Sequence, residues 1–499
     1  MEFAEALQQF RTIQARIHAY NHASGILYYD GVTTAPSGSG EGRAQTMGVL
    51  SGDIYDLQTG EKTLEVLAVL RAHCAQLDAR AARELELFSR GLEYAASIPK
   101  DEYVDYQMHI NRSEDIWQTA REKSDFAMFA PYLEKTVRTL KKFAKYYKPG
   151  EPAYNTMLDM YEHGLTMETA DRFFDLLRQR LVPLMRRVAA AQQIDASFLH
   201  KSYPVQKQRR FSDLLMDMLT IDRAYCGIGE TAHPFTTEFN KYDVRITTHY
   251  DENDLASSMY SVIHEGGHAL YELHGGGEYE NTCVAGGVSM GIHESQSRFF
   301  ENIIGRSEAF CRCLFPKVQA LFPEQLAGVN AGMFYRAVNR SEASLIRTEA
   351  DELTYPMHIL VRYELEKALV EGNLTVAQLP QAWDAKMREY LGVEVPDDAH
   401  GVLQDVHWAG GMLGYFPSYA LGSAYSAQML AAMERDVDVE AAVGQGRLAP
   451  VVSWLSERIY RHSSMYDPDV LLPMCCGAEF DPEYYIAYLE KKYTGLYGL

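Results

Sequence analysis

The stretch Val262-Ile-His-Glu-Gly-Gly-His-Ala-Leu270 decides how the rest of the chain is interpreted. His264 and His268 are four residues apart, so on a helix both imidazoles lie on one face and can bind one tetrahedral zinc ion. Glu265 points to a neighbouring angle, from which its carboxylate can take a proton from a water molecule at the metal. Apolar neighbours indicate that the helix is buried. This segment is therefore predicted to be the centre of a metal site.

Two glycines, Gly266 and Gly267, lie inside the motif, and each costs up to about 1 kcal/mol of helix stability relative to alanine. Such a cost is typical of places where another backbone or a substrate comes close. We therefore predict a close approach to this helix at the two glycines.

A catalytic zinc needs a third protein ligand and one open position. Glu294 lies 26 residues after His268, at the start of a second helical pattern, where gluzincins supply a glutamate. His274 lies six residues after His268, which is the metzincin spacing, but the glycine of that motif is missing. We predict Glu294 as the third ligand and keep His274 as the alternative. Arg298 occupies the position, four residues after Glu294, where related enzymes often carry an acid.

Most of the chain has hydrophobic residues at steps of three and four, which predicts helices. The clearest helical stretches are 1–22, 63–94, 110–147 and 167–191. Within 227–250 the pattern alternates, with Val244 and Ile246 on one face, and predicts a short strand or hairpin. Asp251 and Asn253 follow as candidate caps of the motif helix. The predicted fold class is mainly α, with a small β hairpin or sheet next to the zinc helix.

The composition excludes several classes of protein. The 499 residues include 47 Lys and Arg against 68 Asp and Glu, a formal net charge of −21, and no basic block. This argues against binding to nucleic acid or to an anionic membrane surface. The N-terminus lacks the pattern of a signal peptide, and residues 406–433 hold too many glycines and polar residues for a membrane span. The seven scattered cysteines indicate free thiols, so we expect a cytoplasmic protein.

Six motifs occur along the chain in a recognisable order. They are His233-Pro-Phe235, Asp243-Val-Arg-Ile-Thr247, His264–His268, His293-Glu-Ser-Gln296, Ile346-Arg-Thr-Glu-Ala-Asp351 and Gly401-Val-Leu-Gln-Asp-Val-His-Trp408. With these motifs the chain resembles the M32 metallocarboxypeptidases over nearly its whole length. The resemblance implies a large helical gluzincin fold with a deep cleft, related to neurolysin and angiotensin-converting enzyme. It also implies a homodimer and a zinc ion, or sometimes cobalt.

The same resemblance implies removal of single residues from peptide C-termini, with broad specificity and without cleavage at a C-terminal proline. Because motifs spread from 233 to 408 must meet at one metal, we expect residues 1–499 to form one domain with two lobes around the cleft. Two rivals stay open. One is an oligopeptidase or dipeptidyl carboxypeptidase on the same scaffold. The other is a non-catalytic zinc-binding or peptide-binding protein, against which the intact Glu265 argues.

A carboxypeptidase must bind the free carboxylate of its substrate, and arginine is the best bidentate partner for it. The motif arginines are Arg347 and Arg245. We favour Arg347, because Arg245 lies on a strand and can instead tie that strand to Asp243 or Asp405.

The oxyanion formed during peptide hydrolysis needs hydrogen-bond donors besides the metal. By type and order, His407 and Tyr419 resemble the His and Tyr that supply them in related peptidases, with Tyr415 as the alternate donor or as a hydroxyl that binds the substrate carboxylate. His233 and His293 are expected in the cleft or beside the ligands, or else have a structural role only.

Overall fold

The computed structural model describes residues 1–499, apart from the side chain of Ala95. Its helices are α1 Phe3–Thr33, α2 Gly40–Thr59, α3 Glu61–Ala72, α4 Ala79–Ser97, α5 Lys100–Lys123, α6 Phe126–Tyr147, α7 Ala153–Asp159, α8 Met167–Ala190, α9 Val205–Met218, α10 Leu255–Leu273, α11 Met290–Arg298, α12 Glu308–Leu321, α13 Ala331–Val338, α14 Tyr355–Glu371, α15 Leu379–Leu391, α16 Pro417–Met433, α17 Val439–Gly444, α18 Ala449–Arg458, α19 Pro468–Cys476 and α20 Glu483–Tyr497. The strands are β1 Cys226–Glu230, β2 Thr236–Asn240 and β3 Asp243–Thr248. The predicted mainly helical fold class is confirmed.

The three strands form one sheet in the order β1-β3-β2. β3 is parallel to β1 and antiparallel to β2, and Ile246 lies opposite both Ile228 and Thr236. Val244 and Ile246 are fully buried, as their alternation predicts. The sheet lies directly before α10 and packs against it, so the predicted strand or hairpin next to the motif helix is a three-stranded sheet.

The motif helix α10 begins at Leu255 and is capped by Asp254, whose side chain accepts hydrogen bonds from the backbone N–H groups of Ala256 and Ser257. The prediction from the sequence that Asp251 or Asn253 caps this helix is therefore wrong. The Asp251 carboxylate instead accepts the N–H of Asn253 in the turn before the helix.

Two glycines let other helices reach the metal region. A Cβ atom on Gly267 of α10 would lie 2.5 Å from the carbonyl oxygen of Gln296 and 2.7 Å from Cα of Ser297, both on α11. A Cβ on Gly422 of α16 would lie 2.7 Å from Cβ and Cγ of Glu294. The close approach predicted at the motif glycines is therefore a crossing of helices at Gly267, whereas at Gly266 it comes from the side chains of Leu219 and Ile221. α11 lies against α10 on one side and α16 on the other.

Two of the long helical stretches are interrupted. The stretch 63–94 is divided between α3 and α4, because the Asp78 side chain accepts the N–H of Ala81 and starts a new helix. The stretch 110–147 is divided between α5 and α6, where Ser124 adopts a left-handed backbone and Asp125 caps α6. The first helix is longer than predicted, because α1 continues past residue 22 to Thr33.

Most buried apolar residues belong to one continuous core that draws on residues from 120 to 496, while a second, smaller core joins α1, α3 and α4. The segment 406–433 contributes to the large core, and α16 is buried along nearly its whole length. Within the described part of the chain, no helix has the length and apolar character needed to cross a bilayer.

Candidate metal centre

Three side chains converge at the crossing of α10 and α11. One donor atom from each of His264, His268 and Glu294 lies within 4.8 Å of the others. Nε2 of His264 is 3.8 Å, and Nε2 of His268 3.5 Å, from the same carboxylate oxygen of Glu294. Two imidazole nitrogens and a carboxylate oxygen facing one point fit a tetrahedral ion with its fourth position open.

The alternative third ligand, His274, is outside this group. Its Nδ1 lies 2.9 Å from the carbonyl oxygen of Leu270, and its ring packs 6.1 Å from the ring of Tyr460. His274 ends α10 as a capping residue. The structure therefore brings together the ligand set that contains Glu294.

Glu301 and Arg298 hold the ligands in place. Nδ1 of His264 lies 2.8 Å from a carboxylate oxygen of Glu301, which leaves Nε2 free for a metal. Nε of Arg298 donates to Glu294 at 2.7 Å, and its Nη1 donates to Glu301 at 3.2 Å. Glu301 lies in a six-residue π-helix, Phe299–Ile304, that continues α11. Sequence reasoning missed Glu301, although a residue seven positions after Glu294 lies on the same helical face.

Buried charges keep these carboxylates ionised. Burial works to raise the pKa of Glu294, but the charges of Arg298 and His264 outweigh it, and the net pKa is lowered. The same balance, burial against Arg298 and His264, lowers the pKa of Glu301 to about 2. Burial lowers the pKa of His268 to about 3, so its ring is neutral and able to bind a metal.

Glu265 lies on the same helix with its carboxylate beside the sheet. Its side chain is only 6% exposed. The hydroxyl of Thr236, at the start of β2, lies 2.7 Å from one of its carboxylate oxygens. Burial raises the pKa of Glu265, opposed by His264 and by this hydrogen bond. Thr236 follows the His233-Pro-Phe235 motif directly, but the sequence carries no signal that joins it to a residue 29 positions away.

His407, Tyr415 and Tyr419 form one cluster near Glu294. Nε2 of His407 is 3.3 Å from the hydroxyl of Tyr419, and the rings of the two tyrosines are 5.1 Å apart. Burial is the main cause of the raised pKa values of both phenols, and the charge of Glu294 adds to it. Burial also lowers the pKa of His407 to about 4, so its imidazole is neutral at physiological pH.

The two motif arginines have different surroundings. Arg347 is 7% exposed and donates through Nε and Nη2 to one oxygen of Asp405, at 3.0 and 2.8 Å. Its guanidinium lies 5.1 Å from the ring of Tyr419, in the same cluster. Arg245 donates through the same two nitrogens to the two oxygens of Asp243, its neighbour on β3.

The two remaining histidines also differ. His233 is exposed in the loop between β1 and β2, and its carbonyl accepts a hydrogen bond from Thr231. His293 lies beside the ligands: its Nδ1 is 2.6 Å from Nδ1 of His268, and its Nε2 is 2.6 Å from a carboxylate oxygen of Glu272. Glu272 is a further residue that the sequence did not single out.

Comparison with known proteins agrees with the motifs. The model of the family "Carboxypeptidase Taq (M32) metallopeptidase" matches residues 9–493. The chain is 39% identical to carboxypeptidase 1 of Bacillus subtilis over the full length of both proteins. It is 37% identical to thermostable carboxypeptidase 1 of Thermus thermophilus, over 96% of this chain and 97% of that one.

Solved structures give the same result. The crystal structure of an M32 carboxypeptidase from Deinococcus radiodurans has a TM-score of 0.96 and 35% identity, covering 99% of this chain and 100% of that one. A structure of Pyrococcus furiosus carboxypeptidase has a TM-score of 0.94 and 32% identity, covering 98% of this chain and 99% of that one. The resemblance found in the motifs is confirmed: this chain belongs to the M32 family of metallocarboxypeptidases, which are peptide hydrolases.

Proposed function

We propose that this carboxypeptidase removes single amino acids from peptides with a free C-terminus, at a zinc ion held by His264, His268 and Glu294. Two imidazoles and one carboxylate suit Zn²⁺, and they suit Co²⁺ as an alternative ion. When bound, such an ion supplies Lewis acidity, because it polarises the scissile carbonyl and acidifies the attacking water. The observation that carries the proposal is the convergence of these three donors beside Glu265.

Glu265 is proposed to take a proton from the attacking water and to pass it to the leaving amine. Its burial supports this role, because burial favours the protonated form and allows the carboxyl to hold a proton between the two steps. The hydrogen bond from Thr236 supports it as well, because it fixes one carboxylate oxygen and leaves the other free.

Tyr419 and His407 are proposed to donate hydrogen bonds to the developing oxyanion, with Tyr415 as the alternate donor. A neutral imidazole and a phenol hydroxyl can each donate a hydrogen bond without a counter-charge in a buried site, and the 3.3 Å distance between Nε2 of His407 and the Tyr419 hydroxyl places the two groups side by side. The proximity of both phenols to Glu294 supports the assignment.

Arg347 is proposed to bind the C-terminal carboxylate of the substrate. A guanidinium carries five N–H donors. Contacts to Asp405 and to the Tyr355 hydroxyl use three of them, which leaves two for a ligand. Asp405 then acts as the group that orients Arg347, while Arg245 pairs with Asp243 within β3.

The peptide products test this proposal. An unblocked pentapeptide is expected to lose one C-terminal amino acid at a time, as measured by mass spectrometry, and its C-terminal amide is expected to resist cleavage. Released dipeptides would indicate a dipeptidyl carboxypeptidase, and cleavage of the amide would indicate an endopeptidase. Peptides that differ only in the last residue test broad specificity and the sparing of proline. Glu265→Gln is expected to retain zinc and to lower kcat by about 10²–10⁴-fold.

We also propose that residues 1–499 form one domain with two lobes, that two copies form a homodimer, and that the protein is cytoplasmic. The family resemblance supports the dimer, which sedimentation equilibrium tests. The seven free cysteines support a reducing compartment.

A further inference from the structure

Glu272, His293 and His268 form a chain of hydrogen bonds that ends at the proposed metal site. The two links are both 2.6 Å long, one between Nδ1 of His268 and Nδ1 of His293, the other between Nε2 of His293 and Glu272. Glu272 is 7% exposed, and the same carboxylate oxygen accepts the N–H of Gly287 at 3.3 Å. The histidines are one-sixth and one-quarter exposed.

The protons of this chain have one arrangement that is compatible with a metal ligand. If Nε2 of His268 offers its lone pair to a metal, the ring carries its proton on Nδ1. That N–H can donate only if Nδ1 of His293 is an unprotonated acceptor. The proton of His293 then lies on Nε2, where it donates to the Glu272 carboxylate. In this arrangement each of the two N–H donors, on His268 and His293, has an acceptor.

The opposite arrangement blocks the site. If His293 carried its proton on Nδ1, it would donate to Nδ1 of His268, and the His268 proton would move to Nε2. That nitrogen faces Glu294 at 3.5 Å, and it would no longer have a lone pair to offer. Nε2 of His293 would then carry no proton, so two hydrogen-bond acceptors, this nitrogen and the Glu272 carboxylate, would be in contact. For a neutral His293 ring, contact with the Glu272 carboxylate therefore favours the proton on Nε2, and with it the metal-binding tautomer of His268.

Packing fixes the bridging ring. The His293 ring lies 5.3 Å from the ring of Tyr271, and a Cβ on Gly287 would lie only 2.5 Å from Cδ2 of His293. His293 is also the residue before Glu294 on α11. The helix that supplies the third ligand therefore also supplies the bridge to the second ligand.

We propose that His293 and Glu272 are positioning residues, which hold His268 in the orientation and tautomer that bind the metal. The two ligand histidines would then be oriented differently: His264 by direct contact with Glu301, and His268 through a second imidazole. This proposal rests on the ligand set of the proposed function.

Metal binding by the full-length apoprotein tests it, by zinc titration in competition with a chromophoric chelator and by the visible spectrum of the Co²⁺ form. His293→Leu removes both hydrogen bonds, and we expect the zinc Kd to rise about 10–100-fold with a changed cobalt spectrum. His293→Gln restores one acceptor and one donor in a planar amide, so we expect it to recover most of the lost affinity. Glu272→Gln, which weakens the acceptor at the end of the chain, should raise the Kd about tenfold.

His274→Leu is the matched control. His274 follows the same helix, and the one hydrogen bond of its ring is to the backbone carbonyl of Leu270. Its Kd and cobalt spectrum should equal those of the wild type. Wild-type values for His293→Leu would overturn the proposal, as would equal losses in His293→Leu and His293→Gln. If His293→Leu does not fold, the zinc Kd of Glu272→Gln is compared with that of His274→Leu, and equal values would overturn the proposal. A wild-type protein that binds zinc but cleaves no peptide would overturn the proposed function and leave this inference standing.

Discussion

Replacing Gly267 by alanine tests whether the crossing of α10 and α11 sets the geometry of the metal site. The new Cβ would lie 2.5 Å from the Gln296 carbonyl oxygen and 2.7 Å from Cα of Ser297. Ordinary contact begins near 3.4 Å, so α11 must move away by roughly 1 Å. Glu294 lies two residues before Gln296 on the same helix and moves with it.

Two opposing effects set the stability of Gly267→Ala. Alanine gains up to about 1 kcal/mol over glycine inside a helix, whereas overpacking costs about 1–3 kcal/mol. Both clashing atoms belong to the backbone, so no side-chain rotation relieves the contact. We expect the free energy of unfolding to fall by about 1–2 kcal/mol. A ligand shift of roughly 1 Å also exceeds the ~0.5 Å tolerance of a preorganised site, and zinc affinity should fall about tenfold or more.

Gly48→Ala is the matched control. Gly48 lies inside α2, and a Cβ there would meet no atom within 4 Å among the described residues. The same substitution should therefore raise the free energy of unfolding by up to about 1 kcal/mol and leave zinc binding unchanged. Urea unfolding of the apoproteins and chelator competition measure both quantities. If Gly267→Ala behaves like Gly48→Ala in both assays, the crossing does not set the site and the reasoning is refuted.

Three other predictions use the same structure. Glu301→Gln removes the carboxylate that orients His264, and zinc affinity should fall by about tenfold; an unchanged Kd by chelator competition would contradict that role. Arg347→Lys keeps the charge beside Asp405 but loses the planar guanidinium that can bind a carboxylate through two hydrogen bonds. Steady-state kinetics should therefore show KM raised at least about tenfold with a smaller change in kcat. An unchanged KM would indicate that Arg347 has a structural role. Glu366 on α14 is fully buried, and its carboxylate accepts hydrogen bonds from Trp408, from the Tyr154 hydroxyl and from the N–H of Gly414. Burial raises its pKa to about 7 despite these donors, so the folded protein binds a proton at Glu366 more tightly than the unfolded chain does. The stability from that proton is complete below about pH 4.5 and is lost as the pH rises through about 7. Glu366→Gln sets an amide NH₂ group against hydrogen-bond donors, so urea unfolding at pH 5 should give a lower free energy of unfolding than in the wild type. At pH 8 this deficit should be smaller by roughly 2–3 kcal/mol, and a deficit that does not change with pH would contradict the prediction.

The ligand set was predictable because its signals are local. The i, i+4 spacing of His264 and His268 is a property of one helix, and Glu294 stands at the head of the next helical pattern. The period-two pattern before α10 likewise identifies a strand from its own residues. Such signals need no knowledge of how distant segments pack.

The partners of the ligands were less predictable, because most of them depend on tertiary contacts. Thr236 reaches Glu265 across the packing of the sheet on α10, and His293 reaches Glu272 only because α11 crosses α10. Glu301 is different: its spacing from Glu294 places it on the same face, but an arginine occupies the position where an acid was expected. The helix breaks near Asp78 and Ser124 were missed because one capping residue or one left-handed residue ends an otherwise continuous pattern.

The crossing of α11 and α16 connects the ligand set to the proposed oxyanion donors. Gly422 brings the α16 backbone against the Glu294 side chain, and Tyr419 lies three residues earlier on α16, nearly one turn away. A shift of α16 would therefore move the Tyr419 hydroxyl relative to Glu294, and it would also strain the contact that holds Glu294 in place. Gly267 fixes Glu294 from the other side through the α11 backbone. Because Glu294 is held between two glycine contacts, its distance from the proposed oxyanion donor Tyr419 depends on how α10, α11 and α16 pack. Substitutions that enlarge either glycine should consequently impair metal binding and turnover together.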